Sequence, residues 1–177
     1  MEYAIIDLEA TCWEHNDPNF DDHEIIEIGV VFLNEKYEKT GELDIFVRPY
    51  HNPILSEYCI DLTGITQNKI NTEGIEFERA MMLLSEEISR RDVLFCSWGL
   101  WDKTQLVDAC KAFDVPYPFN DNHLNIKAEF LQKHNKKKCG LQKACRIYQL
   151  RFNGSPHSGI DDANMTSEVF RHMRKEE

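Results

Sequence analysis

The chain has 177 residues, which is enough for a full hydrophobic core, and we expect a single domain over residues 1–177. Its net charge of −11 argues against general attraction to phosphate backbones, but does not exclude a nucleic-acid enzyme whose acidic centre is filled with cations. No apolar run approaches the roughly 20 residues of a membrane span. No signal segment opens the chain, so we expect a cytoplasmic protein that does not contact a membrane.

The cysteines favour neither a zinc site nor a disulfide framework. No two of the six form a C-x-x-C pair, which argues against zinc. Disulfide frameworks belong mainly to secreted proteins, and this chain shows no secretion signal. We therefore expect six reduced cysteines that serve mostly in packing.

The predicted strands are short apolar segments bounded by turn-forming residues. Short gaps separate the first three, which are expected to form a meander over residues 3–10, 23–34 and 42–49. Two more strands are predicted further along the chain, at residues 92–98 and 123–127. Apolar residues at helical spacing predict helices over residues 77–91, 101–113, 140–150 and 161–173, with another expected after residue 127. This order predicts a mixed sheet covered by helices.

The first strand ends in an unusual pair of acids. The sequence AIIDLEATCW places Asp7 and Glu9 one residue apart in a stretch that is otherwise apolar. Side chains at i and i+2 of a strand leave the same face, so the two carboxylates would stand side by side. Burial and mutual repulsion both disfavour that arrangement when the acids are ionised. The pair therefore predicts either a bound cation against both carboxylates or a proton on one of them.

Three further residues lie where a strand ends or a helix begins. Asp102 follows the buried strand in SWGLWD, and Asp162 lies in the first turn of the last predicted helix, five residues after His157. Each alone has an ordinary alternative, since first-turn acids commonly serve the helix dipole and loop histidines are commonly solvated. Taken with Asp7 and Glu9, the acids fit two divalent cations about 3.5–4 Å apart that clamp a phosphodiester. Oxygen ligands favour Mg²⁺ or Mn²⁺ over zinc.

The segments DLEATCW, SWGLWD and HSGIDD resemble the three exonuclease motifs of the DEDDh family, the DnaQ-like 3′–5′ exonucleases. The segments HEIIEIGVVFLN, FVRP and SEYCIDLTGIT resemble the histone-mRNA 3′ exonuclease subfamily, which includes KapD-like bacterial proteins. The similarity runs over roughly residues 3–172. It implies a single exonuclease domain with an RNase H-like α/β/α sandwich and a five-stranded mixed sheet.

The resemblance also implies a role for each motif residue. Asp7, Glu9 and Asp162 would bind one Mg²⁺. Asp7 would also bind a second ion, which Asp102 would reach directly or through water, and Mn²⁺ would substitute for either ion. His157 would be the general base for the attacking water. The implied enzyme is a metal-dependent 3′–5′ exoribonuclease that releases nucleoside 5′-monophosphates from a free 3′ end of single-stranded nucleic acid, which we expect to be RNA.

The family also implies a substrate pocket beside these residues. The backbone at Ala10 and Thr11 would approach the 3′-terminal nucleotide, close to His157. Leu62 and Thr63 of LTGIT match the region of an apolar wedge that stacks on terminal bases, although a core position is an equally good interpretation of Leu62.

Two tryptophans flank the Asp102 motif. Trp98 and Trp101 could stack on a base, but packing behind Asp102 is the favoured interpretation. Trp13 is a further candidate for the apolar wedge.

The positive charge is concentrated in one segment. Residues 134–154 contain no Asp or Glu and six cations, namely Lys136, Lys137, Lys138, Lys143, Arg146 and Arg151. Such a segment is either a solvated face or a local phosphate-binding patch.

Two alternatives to an exoribonuclease stay open: the same chemistry on single-stranded DNA or very short oligonucleotides, and a non-catalytic nucleic-acid-binding regulatory module on a nuclease fold. The complete set of acids and histidine argues against the second. Protein partners cannot be inferred from the sequence.

Overall fold

A five-stranded mixed sheet forms the centre of the computed structural model, which describes residues 1–19 and 23–175. Its strands are β1 (Glu2–Ala10), β2 (Ile25–Leu33), β3 (Lys39–Phe46), β4 (Val93–Ser97) and β5 (His123–Asn125). They lie in the order β3-β2-β1-β4-β5. The first three strands are antiparallel neighbours and form the predicted meander, whereas β4 and β5 run parallel to β1. The predicted mixed sheet of five strands is therefore confirmed.

Seven helices accompany the sheet in the described residues. They are α1 (Glu57–Thr63), α2 (Gln67–Glu73), α3 (Phe77–Ser89), α4 (Trp101–Ala112), α5 (Ile126–Lys133), α6 (Leu141–Ile147) and α7 (Gly159–Lys175). The last five were predicted, and α1 and α2 were missed. Each missed helix has seven residues, too few for a repeating apolar face. Their sequence signals are local: the Ser56 and Thr66 side chains cap the two N-termini.

The sheet carries a separate apolar core on each face. Ala4, Ile6 and Leu8 of β1 pack in one core, which contains side chains of α3 and α4. Ile5 of β1 packs in the other core, which contains side chains of α5, α6 and α7. This arrangement is the predicted α/β/α sandwich. Because side chains alternate along a strand, Asp7 belongs to the same face of β1 as Ile5, which is the face covered by α7.

None of the helices in the described part of the chain combines the length and apolar character needed to cross a membrane. All six cysteines are free, as predicted, and five of them are buried. Cys12 is half-buried and lies next to the acidic end of β1.

Candidate active site

Parallel pairing of β1 and β4 brings the first acids together. The two strands pair as far as Ile5 and Cys96, so their carboxyl ends point to the same edge of the sheet. β1 continues past this pairing to Asp7 and Glu9, while β4 leads into α4, whose first turn contains Asp102. The Asp102 Oδ1 accepts the backbone N–H of Leu8 at 3.2 Å. This hydrogen bond ties α4 directly to the acidic end of β1.

A close backbone contact brings α7 to the same edge. Gly29 of β2 pairs with Asp7 of β1, and a Cβ atom on Gly29 would lie 2.2 Å from the carbonyl carbon of Gly159 at the start of α7. Glycine is therefore required at position 29 for the helix to approach the sheet. The first turn of α7 then carries Asp162 to the acids of β1. Ligand atoms of Glu9, Asp162 and His157 all lie within 4.8 Å of one another.

These groups line a cleft of about 400 Å³ at the edge of the sheet. Pockets that hold small ligands in proteins commonly have volumes of about 300–1,000 Å³. The cleft is lined by Asp7, Leu8, Glu9, Ala10, Thr11, Cys12, His23, Leu62, Trp98, Trp101, Asp102, Leu141, His157 and Asp162. All five predicted motif residues therefore share one cleft.

The carboxyl groups hold their protons tightly because burial disfavours their charged forms. Burial, followed by the Asp162 and Glu27 charges, raises the pKa of Glu9 to about 8. Burial together with the neighbouring acids, Asp102 foremost, raises the pKa of Asp7 well above its usual range. Burial also raises the pKa values of Asp102 and Asp162 to about 6, although hydrogen bonds from backbone N–H groups oppose this. The site has an excess of negative charge that a cation would relieve.

One carboxylate oxygen in the cleft lacks a hydrogen-bond partner. Asp162 Oδ2 accepts the backbone N–H of His157 at 3.3 Å, while Asp162 Oδ1 is buried and has no partner among the described residues. Buried polar atoms are normally satisfied, so this oxygen is an acceptor available to an ion or a water molecule. Together with the raised pKa values, this atom shows that the cleft fits an oxygen-preferring divalent cation.

His157 is exposed in the loop that precedes α7. Its backbone adopts a left-handed conformation with φ of 65°. A ring nitrogen approaches the carboxylates of Glu9 and Asp162 closely enough to contact the same small molecule or ion. The residue could therefore either ligate a cation or exchange a proton with a water molecule.

The structure brings most, but not all, of the expected substrate-pocket residues to the cleft. Ala10, Thr11 and Leu62 line it, and Leu62 is 37% exposed, so the core interpretation of Leu62 is wrong. Thr63 does not line the cleft and is 3% exposed. Its hydroxyl donates to the carbonyl of Cys59 at 2.8 Å within α1. Consecutive helical residues point about 100° apart, which agrees with Leu62 lining the cleft while Thr63 is buried.

The two tryptophans beside Asp102 behave differently. Trp98 packs against Phe130 with ring centroids 5.4 Å apart, although it also lines the cleft. Trp101 is 44% exposed at the cleft wall, so the expectation that it packs behind Asp102 is wrong. Trp13 is buried and lies outside the cleft lining.

The sequence analysis missed Glu27 of β2. This side chain is 1% exposed, and its residue pairs with Glu9 across the sheet. Its Oε1 accepts the backbone N–H of Ile160 at 3.0 Å and the hydroxyl of Ser158 at 3.4 Å. It thus anchors the start of α7, the helix that carries Asp162. A single carboxylate inside the apolar run IIEIGVV was the available signal.

Comparison with known proteins shows the family. Residues 4–170 match the family model described as exonuclease, RNase_T. The chain belongs to this exonuclease family. The nuclease domain of 3′hExo, a DEDDh family member bound to rAMP, superimposes on this chain with a TM-score of 0.90 at 28% identity. That alignment covers 99% of this chain and 92% of the other, which confirms the predicted family and fold.

Curated relatives of the chain include longer proteins. Human 3′-5′ exoribonuclease 1 is 32% identical over 94% of this chain and 50% of its own length. ERI1 exoribonuclease 2 of Xenopus laevis is 29% identical over 98% of this chain and 28% of its own length. A solved 3′-exonuclease in a study of 3′-end specific recognition of the histone mRNA stem-loop has a TM-score of 0.90 at 28% identity, covering 99% of this chain and 82% of that one. This chain thus spans about half of the length of the first of these curated relatives and less than a third of the length of the second.

Proposed function

We propose that this exonuclease-family chain is a metal-dependent 3′–5′ exoribonuclease that releases nucleoside 5′-monophosphates from a free 3′ end. The observation that carries the proposal is the unpartnered Oδ1 of Asp162. This oxygen lies in a cleft that also contains the carboxylates of Asp7, Glu9 and Asp102 and the ring of His157. A protein that only bound nucleic acid would have no use for four crowded acids next to a phosphate chain.

In this proposal Asp7, Glu9 and Asp162 hold one ion, and Asp7 with Asp102 holds a second. When bound there, two Mg²⁺ ions, for which Mn²⁺ can substitute, would supply activation of the attacking water and charge stabilisation at the departing 3′ oxygen. The raised pKa values of Asp7 and Glu9 support this assignment, because they result from burial and from repulsion between carboxylates, both of which a bound cation would offset.

His157 accepts the proton of the attacking water. The water oxygen forms a new bond to phosphorus, the bond from phosphorus to the 3′ oxygen breaks, and that oxygen leaves with the electron pair and takes a proton from solvent. The products are a nucleoside 5′-monophosphate and a chain shortened by one nucleotide. The exposed position of His157 beside Glu9 and Asp162 supports this role, because its ring can exchange the proton with solvent.

Exposed apolar side chains at the cleft wall support binding of nucleobases. Leu62 of α1 and Trp101 of α4 both line the cleft with a substantial part of their surface open to solvent. Aromatic and apolar surfaces stack on bases without reading their sequence. Ala10 and Thr11 line the same cleft. RNA is the proposed substrate because relatives of the chain are named exoribonucleases.

A comparison of matched substrates tests the proposal. We would incubate the protein and Mg²⁺ with 5′-labelled RNA, DNA of the same sequence, and a dinucleotide. RNA cleaved fastest would support the assignment, whereas preference for DNA or for the dinucleotide would transfer the same chemistry to that substrate. Cleavage of none of them, with binding retained, would favour the non-catalytic module.

Two adjacent acids provide a matched pair of variants for that experiment. Asp161 Oδ2 accepts the backbone N–H of Ser155 at 2.8 Å, and Asp161 does not line the cleft. Asp162→Asn should abolish cleavage and weaken Mg²⁺ binding, whereas Asp161→Asn should retain both. Equal losses in the two variants would remove the metal-ligand role of Asp162.

A further inference from the structure

The basic segment, residues 134–154, is the main unexplained feature of the surface. It holds six of the 20 cations of the chain and none of its 31 acids. All six cationic side chains are exposed. Within the part of the chain that the structure describes, none of them forms an ion pair with a carboxylate. A cluster of positive side chains without carboxylate partners attracts polyanions, even on a protein whose overall charge is negative.

The fold holds this segment in a defined shape. The His134 ring at the C-terminal end of α5 lies 2.8 Å from the hydroxyl of Tyr148 at the C-terminal end of α6, so the helices on either side of the lysine-rich loop are linked to each other. Between them, Cys139 is 4% exposed and packs in the core under α5, α6 and α7. This buried anchor lies immediately after Lys138, so the three consecutive lysines project from a fixed stretch of backbone.

The basic segment is continuous with the catalytic cleft. Leu141, the first residue of α6, lines the cleft, and it lies between Lys138 and Lys143 in the chain. A strand whose 3′ end occupies the cleft can leave past Leu141 and meet both cations. Elsewhere the surface carries the excess of acidic groups, which repel a phosphate chain.

We propose that the basic segment binds the phosphates of the RNA upstream of the nucleotide being removed. The inference rests on the proposed exonuclease function and adds to it a second contact, which long substrates make and very short ones cannot. Lys136, Lys137 and Lys138 supply the sequence-independent attraction, and the cleft supplies recognition of the 3′ end. The surface therefore selects for chain length over base sequence.

Salt dependence of binding tests this contact directly. We would compare Lys136→Ala/Lys137→Ala/Lys138→Ala with a control, Lys36→Ala/Arg79→Ala/Lys111→Ala, whose residues are exposed and outside the basic segment. Both would carry Asp162→Asn to prevent cleavage of a labelled 20-nucleotide RNA. The first variant should bind about tenfold more weakly at moderate salt, and its slope of log affinity against log salt should fall by about 2, at ~0.7 per single-strand phosphate. The control should match its parent.

Two further measurements separate this inference from its alternatives. With Asp162 intact, the lysine variant should cleave a dinucleotide at the rate of the unmodified protein, while its KM for the 20-nucleotide RNA rises. Loss of dinucleotide cleavage would contradict the inference.

An unchanged slope of log affinity against log salt for RNA would overturn the inference. Loss of polyglutamate binding with RNA binding intact would also overturn it, because the surface would then dock an acidic protein. If the unmodified chain cleaved nothing, the proposed function would fail while the binding result still decided the role of the segment.

Discussion

The carboxylate of Glu27 on β2 accepts the backbone N–H of Ile160 at 3.0 Å and so fastens the start of α7 to the sheet. The helix delivers Asp162 to the cleft, and Ser158 adds a second, longer hydrogen bond to the same oxygen at 3.4 Å. Glu27 does not line the cleft. Its effect on catalysis would therefore be exerted through the position of α7.

Replacing Glu27 separates its hydrogen-bonding role from its charge. Glu27→Gln keeps an oxygen that can accept from Ile160 and should keep most of the activity. Glu27→Ala leaves that N–H buried without a partner, which should cost about 1–3 kcal/mol of stability and lower kcat at least tenfold, with a smaller change in KM. Denaturant unfolding and steady-state kinetics check both effects. Equal activity of the two variants, or greater loss in Glu27→Gln, would show that α7 is positioned by other contacts.

His157 and Asp162 should respond differently to removal. His157→Ala should lower kcat by about 10²–10⁴-fold, because the attacking water loses its general base. Mg²⁺ binding should remain nearly intact, whereas Asp162→Asn should lose it. Calorimetric Mg²⁺ titration and single-turnover cleavage check the pair. Loss of Mg²⁺ affinity in His157→Ala as severe as in Asp162→Asn would make His157 a metal ligand instead.

Metal binding should be coupled to pH through the cleft acids. Their folded pKa values, about 8 for Glu9 and about 6 for Asp102 and Asp162, lie above the ordinary values near 4. Between about pH 4 and 8 the folded state therefore binds more protons than the unfolded state. Below that window these acids are protonated in both states and their full contribution to the free energy of unfolding is present. That contribution is lost as pH rises through the window. Without metal, the Tm should fall across this range.

Mg²⁺ should offset that loss, because it replaces protons that the folded state would otherwise hold. The rise in Tm on adding Mg²⁺ should grow from pH 5 to pH 8. Thermal unfolding with and without a chelator checks this, and Glu9→Gln should flatten the metal-free decline above pH 6. A Mg²⁺ effect of the same size at every pH would contradict the coupling.

The exposed tryptophan at the cleft wall should contribute to substrate binding. Trp101→Ala should raise KM by about five- to 150-fold, since stacking of a base on an aromatic ring is worth ~1–3 kcal/mol. Leu100→Ala is the matched control, because Leu100 is 61% exposed beside Trp101 but does not line the cleft. Steady-state kinetics on single-stranded RNA check the difference. Similar KM values for the two variants would exclude base stacking on Trp101.

Sequence patterns were sufficient for the sheet and for the acids that meet at its edge. Local apolar periodicity predicts the strand that ends in Asp7 and Glu9 and the helices whose first turns contain Asp102 and Asp162. The family resemblance then assigned these acids to one site. Leu62 and Thr63 could not be distinguished, because which residue of a short helix faces a cleft depends on how that helix docks. α1 itself has only seven residues, and its position depends on the Ser56 side chain, which caps the helix and donates to the carbonyl of Cys12.

Glu27 illustrates a different limit. Its local sequence shows only an acid within an apolar strand, and its partners at Ser158 and Ile160 lie more than 130 residues away. The close approach of Gly29 to Gly159 that makes those contacts possible is likewise a tertiary property. Periodicity assigns elements, but it does not show which helix end will meet which strand.

Cleavage of 5′-labelled single-stranded RNA in the presence of Mg²⁺ is the most direct test of the account. A linear RNA should give a ladder that shortens from the 3′ end. A chelator should abolish the ladder, and a 3′-phosphate should slow its formation. A circular RNA of the same sequence should remain intact, because it offers no 3′ end to the cleft. Cleavage of the circle at a rate similar to the linear RNA, or an unchanged ladder in the presence of chelator, would contradict a metal-dependent 3′–5′ exonuclease.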